Sequence, residues 1–230
     1  MDGPKIEIID PKGDVIIVSV KEKDDPSDSF TTLFPSHTRE ETRFKVSSNF
    51  LTQSSDYFKA RLGQNWPEGQ ELSQKGNVEI RIDGFEREGV RIVLNILHWR
   101  NDQIPLQVDL ALLTKVALVT DSFQCNQALC FMGKKWFFDC CRWCRNIKRS
   151  PEYVFVCHVF GIKDDLEDLI SRFWKEANAP FDPGNLPIPS SITDQINAKL
   201  ETFHDDLVTN IGKQGEKLRR QTREATEWPY

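Results

Sequence analysis

The sequence predicts an α+β fold: a small, mainly N-terminal β-sheet flanked by a cluster of α-helices, with an all-α C-terminal extension. Two observations predict it. The alternating and β-branched runs all lie before residue 83, and from Phe85 onward the apolar period lengthens from two residues to three or four. Within 230 residues the 39% apolar content is enough for one good core or two small ones, and no window approaches the roughly 18 continuous apolar residues of a membrane span.

Lys5-Ile6-Glu7-Ile8 alternates, and after the turn signal Asp10-Pro11-Lys12-Gly13 the run Val15-Ile16-Ile17-Val18-Ser19-Val20 is β-branched enough for a strand buried on at least one face. Residues 21–41 are charged, rich in Ser, Thr and Pro and without period, which predicts an exposed loop. Arg43-Phe44-Lys45-Val46 alternates again and is expected to form a hairpin with the preceding strand. Two short helical pieces follow, with Val46, Phe50, Leu51, Phe58 and Leu62 spaced as the underside of a helical hairpin on the sheet and a polar outer face left for a partner. A loop over 63–77, beginning around Trp66-Pro67-Glu68-Gly69, leads to a strand at Val78–Ile82.

Val90, Val93, Leu94 and Leu97 share one helical face, and Leu110, Leu113, Val116, Ala117 and Val119 belong to a helix apolar enough to be mostly buried. Further helices are expected near 126–143, 151–161 and 164–177. A Pro/Gly linker occupies 179–189; then Ser191 with Asp194 fits a capping box opening an amphipathic helix with apolar positions Ile192, Ile196, Leu200, Phe203, Leu207 and Ile211. The expected organisation is a domain over 1–130, a helical extension over 131–178, the linker, and the amphipathic helix with a basic tail over 190–230.

A net charge of −5 argues against a surface built to neutralise phosphate, so nucleic acid is not the first expected partner. The start, MDGPKIEIID, has acids and a proline where a secretory signal needs a basic patch and an apolar run, which predicts an intracellular protein, cytoplasmic or nuclear. The six cysteines are then expected to be reduced.

Candidate chemistry is sparse. Cys140-Cys141-Arg142-Trp143-Cys144 with Cys157-His158 holds a C-x2-C and a Cys-His pair, but adjacent residues on a helix point about 100° apart and no second C-x2-C exists, so thiols packed on helices are expected rather than zinc. Cys157 beside His158 is no dyad for the same reason. Gly133-Lys134-Lys135 lacks the first glycine of a phosphate loop, having Ala128 there, and no Ser or Thr follows the lysines. Asp164-Asp165 and Asp205-Asp206 read as solvated. Lys134, Lys135, Arg142, Arg145, Lys148 and Arg149 interleave with Trp136, Phe137, Phe138 and Trp143, the pattern of a stacking and phosphate-binding surface; a nucleic-acid-associated regulator using 134–149 is therefore the alternative reading. Lys213, Lys217, Arg219, Arg220 and Arg223 suit the C-terminal end of the last helix. No catalytic group, cofactor or metal is expected.

Several stretches, in order, resemble the BTB/POZ domain, in the form met in fungal proteins that carry little else. They are Gly13-Asp14-Val15-Ile16, Phe44-Lys45-Val46, Phe50-Leu51, Ser55-Asp56-Tyr57-Phe58, Trp66-Pro67-Glu68-Gly69, Val78–Ile82 with its helix, and Leu118-Val119-Thr120-Asp121-Ser122-Phe123-Gln124-Cys125. The resemblance covers roughly residues 10–130 and implies a non-enzymatic protein-interaction module: an adaptor that forms a homodimer or heterodimer, in some members holding the cullin scaffold of a ubiquitin ligase. Asn65-Trp66-Pro67-Glu68 resembles the turn of cullin-binding members, in which an apolar anchor enters a pocket and an acid fixes orientation; the local alternative has Trp66 covering the hairpin end and Glu68 in solvent. The family often sets a His and a basic residue opposite the Asp of its first strand, and here Ser47 and Ser48 stand opposite Asp14. The partner-binding candidates are thus Asn65, Trp66, Glu68, Asp14 and Ser48.

Overall fold

A computed structural model describes residues 6–23, 38–143, 150–162 and 180–226. Among these, four strands form one mixed sheet in the order β1-β3-β2-β4: β1 Ile6–Ile8, β2 Val15–Lys23, β3 Thr38–Val46 and β4 Val78–Asp83. The β-branched run of β2 pairs antiparallel with β3, Val15 opposite Val46, and parallel with β4, Val15 opposite Val78. With neighbours on both edges, β2 buries Val15, Ile17, Val18, Ser19 and Val20 on both faces. β4 alternates without exception, with Val78, Ile80 and Ile82 inward.

The hairpin is longer than its hydropathy predicts. Residues 21–23 and 38–41, read as loop, are paired, with Lys21 opposite Glu40 and Glu22 opposite Arg39 in the register. Backbone hydrogen bonds carry this end of the ladder and leave no apolar trace in the sequence. The rest of that predicted loop, 24–37, lies outside the described residues, as do the predicted helix at 164–177 and residues 227–230.

The helical pieces are α1 Ser48–Ser54 and α2 Asp56–Arg61. Leu51 and Phe58 are fully buried, but the hairpin rests chiefly on helices rather than on the sheet. Phe58 meets Phe123 edge-on at 4.8 Å, Tyr57 stacks on Phe123 at 5.9 Å, and Phe50 lies 5.2 Å from His98. Ser55 caps α2 by accepting from Phe58 N at 3.1 Å and donates its hydroxyl to Phe123 O, fastening the hairpin to the end of α5. A third helix, α3 Pro67–Lys75, replaces the loop expected over 63–77.

α4 Arg87–Leu97 and α5 Leu110–Ser122 pack on each other under the sheet, with α5 capped by Asp109 accepting from Leu112 N at 2.8 Å. α6 Asn126–Trp143 runs through the expected boundary at 130/131, and one hydrophobic cluster extends from Ile9 to Ile162, so the extension shares the core of the N-terminal part. α7 Pro151–Val159 is buried nearly all round, and its Val154 joins Phe181, Ile196 and Leu200 in a second, smaller cluster. Residues 180–189 have no helix or strand, yet Phe181 is buried and its N–H donates to Asn197 Oδ1 at 2.8 Å, which docks α8 Ser190–Thr226. α8 begins one residue ahead of the predicted Ser191 cap, because Thr193 N already bonds Pro189 O at 3.3 Å.

Gly133 sits where α6 crosses Phe160; a Cβ there would fall within 2.5 Å of the ring carbons Cε1 and Cγ. Alanine at this helical position has a propensity advantage of about 1 kcal/mol over glycine, whereas overpacking a fully formed core costs about 1–3 kcal/mol, so the clash wins. Gly133→Ala is expected to lower the denaturant midpoint with an unchanged slope; a midpoint at or above the wild-type value would show that Phe160 moves aside freely.

Candidate functional site

The turn between α2 and α3 is built from backbone. Gly63 N bonds Ala60 O at 2.9 Å and Trp66 N bonds Gly63 O at 3.1 Å, reversing the chain so that Trp66, extended at φ −113° and ψ 146°, becomes the N-cap residue of α3. Pro67 at the first helical position needs no N–H partner, which is why a residue read as part of a loop starts a helix. Gly69 faces the turn: a Cβ there would overlap Gly63 O and lie 2.6 Å from Leu62 O. The backbone at Trp66 is thereby fixed, with 51% of the residue's surface exposed, and Asn65 beside it is exposed too.

Glu68 is not free in solvent. Arg61 Nε and Nη2 both reach its Oε1 at 2.9 Å, and Arg61 also donates to the Tyr57 hydroxyl while lying 5.6 Å from the centre of that ring. Burial opposes ionisation of Glu68, but its own backbone N–H, in the first turn of α3, and the Arg61 guanidinium outweigh it and hold the carboxyl below its usual range. The acid thus fixes α3 to α2, and Trp66 is the apolar group left facing outward.

The second candidate group closes on itself. α1 has no side-chain cap of its own from Ser47; Asp14 at the start of β2 supplies one, Oδ1 accepting from Ser48 N at 2.7 Å and Oδ2 from Ser48 Oγ at 2.6 Å. Ser47 N donates to His98 Nε2 at 2.9 Å, which makes Nδ1 the protonated nitrogen, donating to Leu94 O at 2.8 Å. Where the resemblance sets charge against Asp14, this chain has a helix N-terminus satisfied by a carboxylate and a neutral imidazole. Among the described residues no hydrogen bond or ion pair joins Asp14 or Ser48 to the Trp66 turn, so the five candidates form two separate groups.

Two of the described aromatics of the basic-aromatic run are interior. Trp136 and Phe137 are fully buried, Trp136 Nε1 donates to Pro105 O at 3.0 Å, and Lys135 is held by Asp139 at 2.7 Å. Phe138 is exposed, as is Arg142; Cys144, Arg145, Lys148 and Arg149 lie outside the described residues. The thiols are packed: Cys140 Sγ donates to Val108 O at 3.2 Å, Cys141 lies 3.2 Å from the Tyr153 hydroxyl, Cys157 is buried, and burial pushes the Cys125 thiol up to about 12. Among the described residues no three metal-ligating side chains converge.

Two exposed aromatics of the described residues, Trp99 and Phe131, went unread in the sequence. Trp99 ends α4 at φ 59° with 75% exposure, while Trp99 N bonds Ile96 O and Arg100 N bonds Asn95 O, a closing turn that glycine usually serves. Nothing in the local sequence signals it.

Two outcomes test the Asp14 group. Asp14→Ala should cost about 1–2 kcal/mol of stability, the range of lost caps, read as a shifted denaturant midpoint. His98 is held below its ordinary value of 6.5, first by burial. A depressed value means that its stabilising contribution is complete above 6.5 and fades as pH falls toward the folded value. The melting temperature should therefore drop between about pH 7.5 and about pH 5.5, and drop less in His98→Gln, which keeps an acceptor for Ser47 N; equal drops would remove His98 from the account. No family model and no curated protein matches the sequence.

Proposed function

We infer that the chain is a non-enzymatic, intracellular protein-interaction module of the BTB/POZ type, an adaptor that dimerises and presents the Trp66 turn to a protein partner such as a cullin scaffold. The observation that carries this reading is Trp66: a large aromatic half out of the surface, on a turn stiffened by Pro67 and pinned by the Arg61–Glu68 pair. Rigid exposed aromatics bind well because little rotamer freedom is lost on contact. The edge strand β1 adds a surface for the dimer, with Ile6 and Ile8 exposed on the rim of the sheet. The nucleic-acid reading loses support, since Trp136 and Phe137 have no face open for a base.

Trp66→Ala should weaken binding to a cullin scaffold by about thirtyfold or more, in line with a hot spot of about 2 kcal/mol, and leave the melting temperature nearly unchanged because half of the side chain is in water. Titration of wild type and variant, with calorimetry on each, reads both quantities. Wild type that binds no cullin would remove that partner, and a large fall in melting temperature would make Trp66 a packing residue.

A further inference from the structure

Where α4 begins, the sheet and the helix leave a cavity of about 280 Å³ between them. Its lining includes two hydroxyl residues that stand directly opposite one another across β2 and β3, Ser19 and Thr42, only 3% and 6% exposed. Residues 85–88 and Arg91 line it from the helix side, and Lys21 lines it from the strand side.

Donors outnumber acceptors here. Glu86 is the N-cap residue of α4 yet gives the helix no side-chain cap; its carboxylate pairs with Lys21 and lies 3.7 Å from Lys115 Nζ. The backbone N–H groups of Arg87, Glu88 and Gly89, the first of the helix, bond to no group among the described residues. Thr42 is the second irregularity. Its hydroxyl, although buried, also has no hydrogen-bond partner among the described residues, and a buried hydroxyl left unpaired is costly. Ser19 Oγ donates to Phe85 O at 3.4 Å, which ties the start of α4 to the strand pair. The neighbouring acids do not answer these donors, because each is matched by a cation: Glu86 by Lys21, Glu88 by Arg91, and Glu7 by Arg87 at 3.1 Å.

Such a set suits an acceptor with several oxygens. A helix start carries partial positive charge, a hydroxyl turns its proton toward whatever accepts it, and Lys21, Arg87 and Arg91 add attraction for an anion. A cation or an aliphatic group gains nothing from them. A tetrahedral oxyanion can present one oxygen to the N–H groups and another to Thr42, and the volume leaves room for a small group esterified to it. We propose that this cavity binds the phosphate of a small phosphorylated molecule, held by the first turn of α4, Thr42 and Lys21, at a site that shares no residue with the Trp66 turn.

The test titrates the full chain with inorganic phosphate by calorimetry at constant ionic strength, with acetate as the planar comparison. One phosphate per chain is expected, with a dissociation constant of about 1 mM or tighter, and acetate should bind about tenfold more weakly. Thr42→Val exchanges the hydroxyl for a methyl group. Because that hydroxyl bonds nothing in the protein, the melting temperature without phosphate should hold or rise, while phosphate affinity falls by about tenfold, the loss of one hydrogen bond to a charged group. Lys21→Gln should weaken phosphate by about fivefold or more, whereas Lys59→Gln, at an exposed lysine of α2, should leave it within about twofold. No saturation by about 20 mM phosphate, acetate bound as tightly as phosphate, or wild-type affinity in Thr42→Val would each overturn the proposal. Equal losses in Lys21→Gln and Lys59→Gln would overturn it too, by showing only diffuse attraction between an anion and surface cations.

Discussion

The N-terminal half depends on a single strand with no free side. β2 has a neighbour on each edge and buried side chains on each face, so every element around it is placed by some atom of this strand. Asp14 caps α1 with its carboxylate and receives Val78 N with its carbonyl, which starts β4; Ser19 Oγ donates to Phe85 O before α4; Lys21 pairs with Glu86, which Lys115 of α5 also approaches. An antiparallel hairpin usually keeps one face wet. Here β2 is covered on both, and the polar groups at its ends and at Ser19 do the connecting.

The Asp14 arrangement shows how a carboxylate can be accommodated without a counter-charge. Four N-terminal N–H groups of a helix are unpaired and carry partial positive charge, so an acid aimed at them gains hydrogen bonds and a favourable dipole together. Serine at 48 adds one more donor, and neutral His98 takes the neighbouring N–H of Ser47. The group is complete within one chain, which separates it from the Trp66 turn, where the acid is satisfied internally by Arg61 and the aromatic is not covered.

What the sequence discloses depends on whether burial or backbone decides. The strands at 15–20 and 78–82, the helix faces at 90–97 and 110–119, and the stripe from Ile192 to Phe203 were all legible because water exclusion writes a period into the residues. The outer half of the β2–β3 hairpin was not, since Lys21–Lys23 and Thr38–Glu41 join the backbone ladder, which writes no hydropathy period. α3 was missed because Pro67 and Gly69 are punctuation in one dimension, whereas in three dimensions proline starts the helix and glycine permits contact with Gly63. The exposure of Trp66 follows from its cap position, and the loss of Glu68 to Arg61 from the fold-back of α3 onto α2; neither depends on a pattern within the stretch itself. Likewise the last stripe is continuous, yet among the described residues its burial stops at Phe203.

The length of α8 has a further consequence. Thirty-seven helical residues make a rod of about 55 Å, and among the described residues its packing against the rest of the chain ends at Phe203. Leu218 stands about 22 Å farther along the axis, so the rod carries an exposed apolar side chain well clear of both hydrophobic clusters. Whatever meets that end meets it at a distance from the sheet that the helix alone sets.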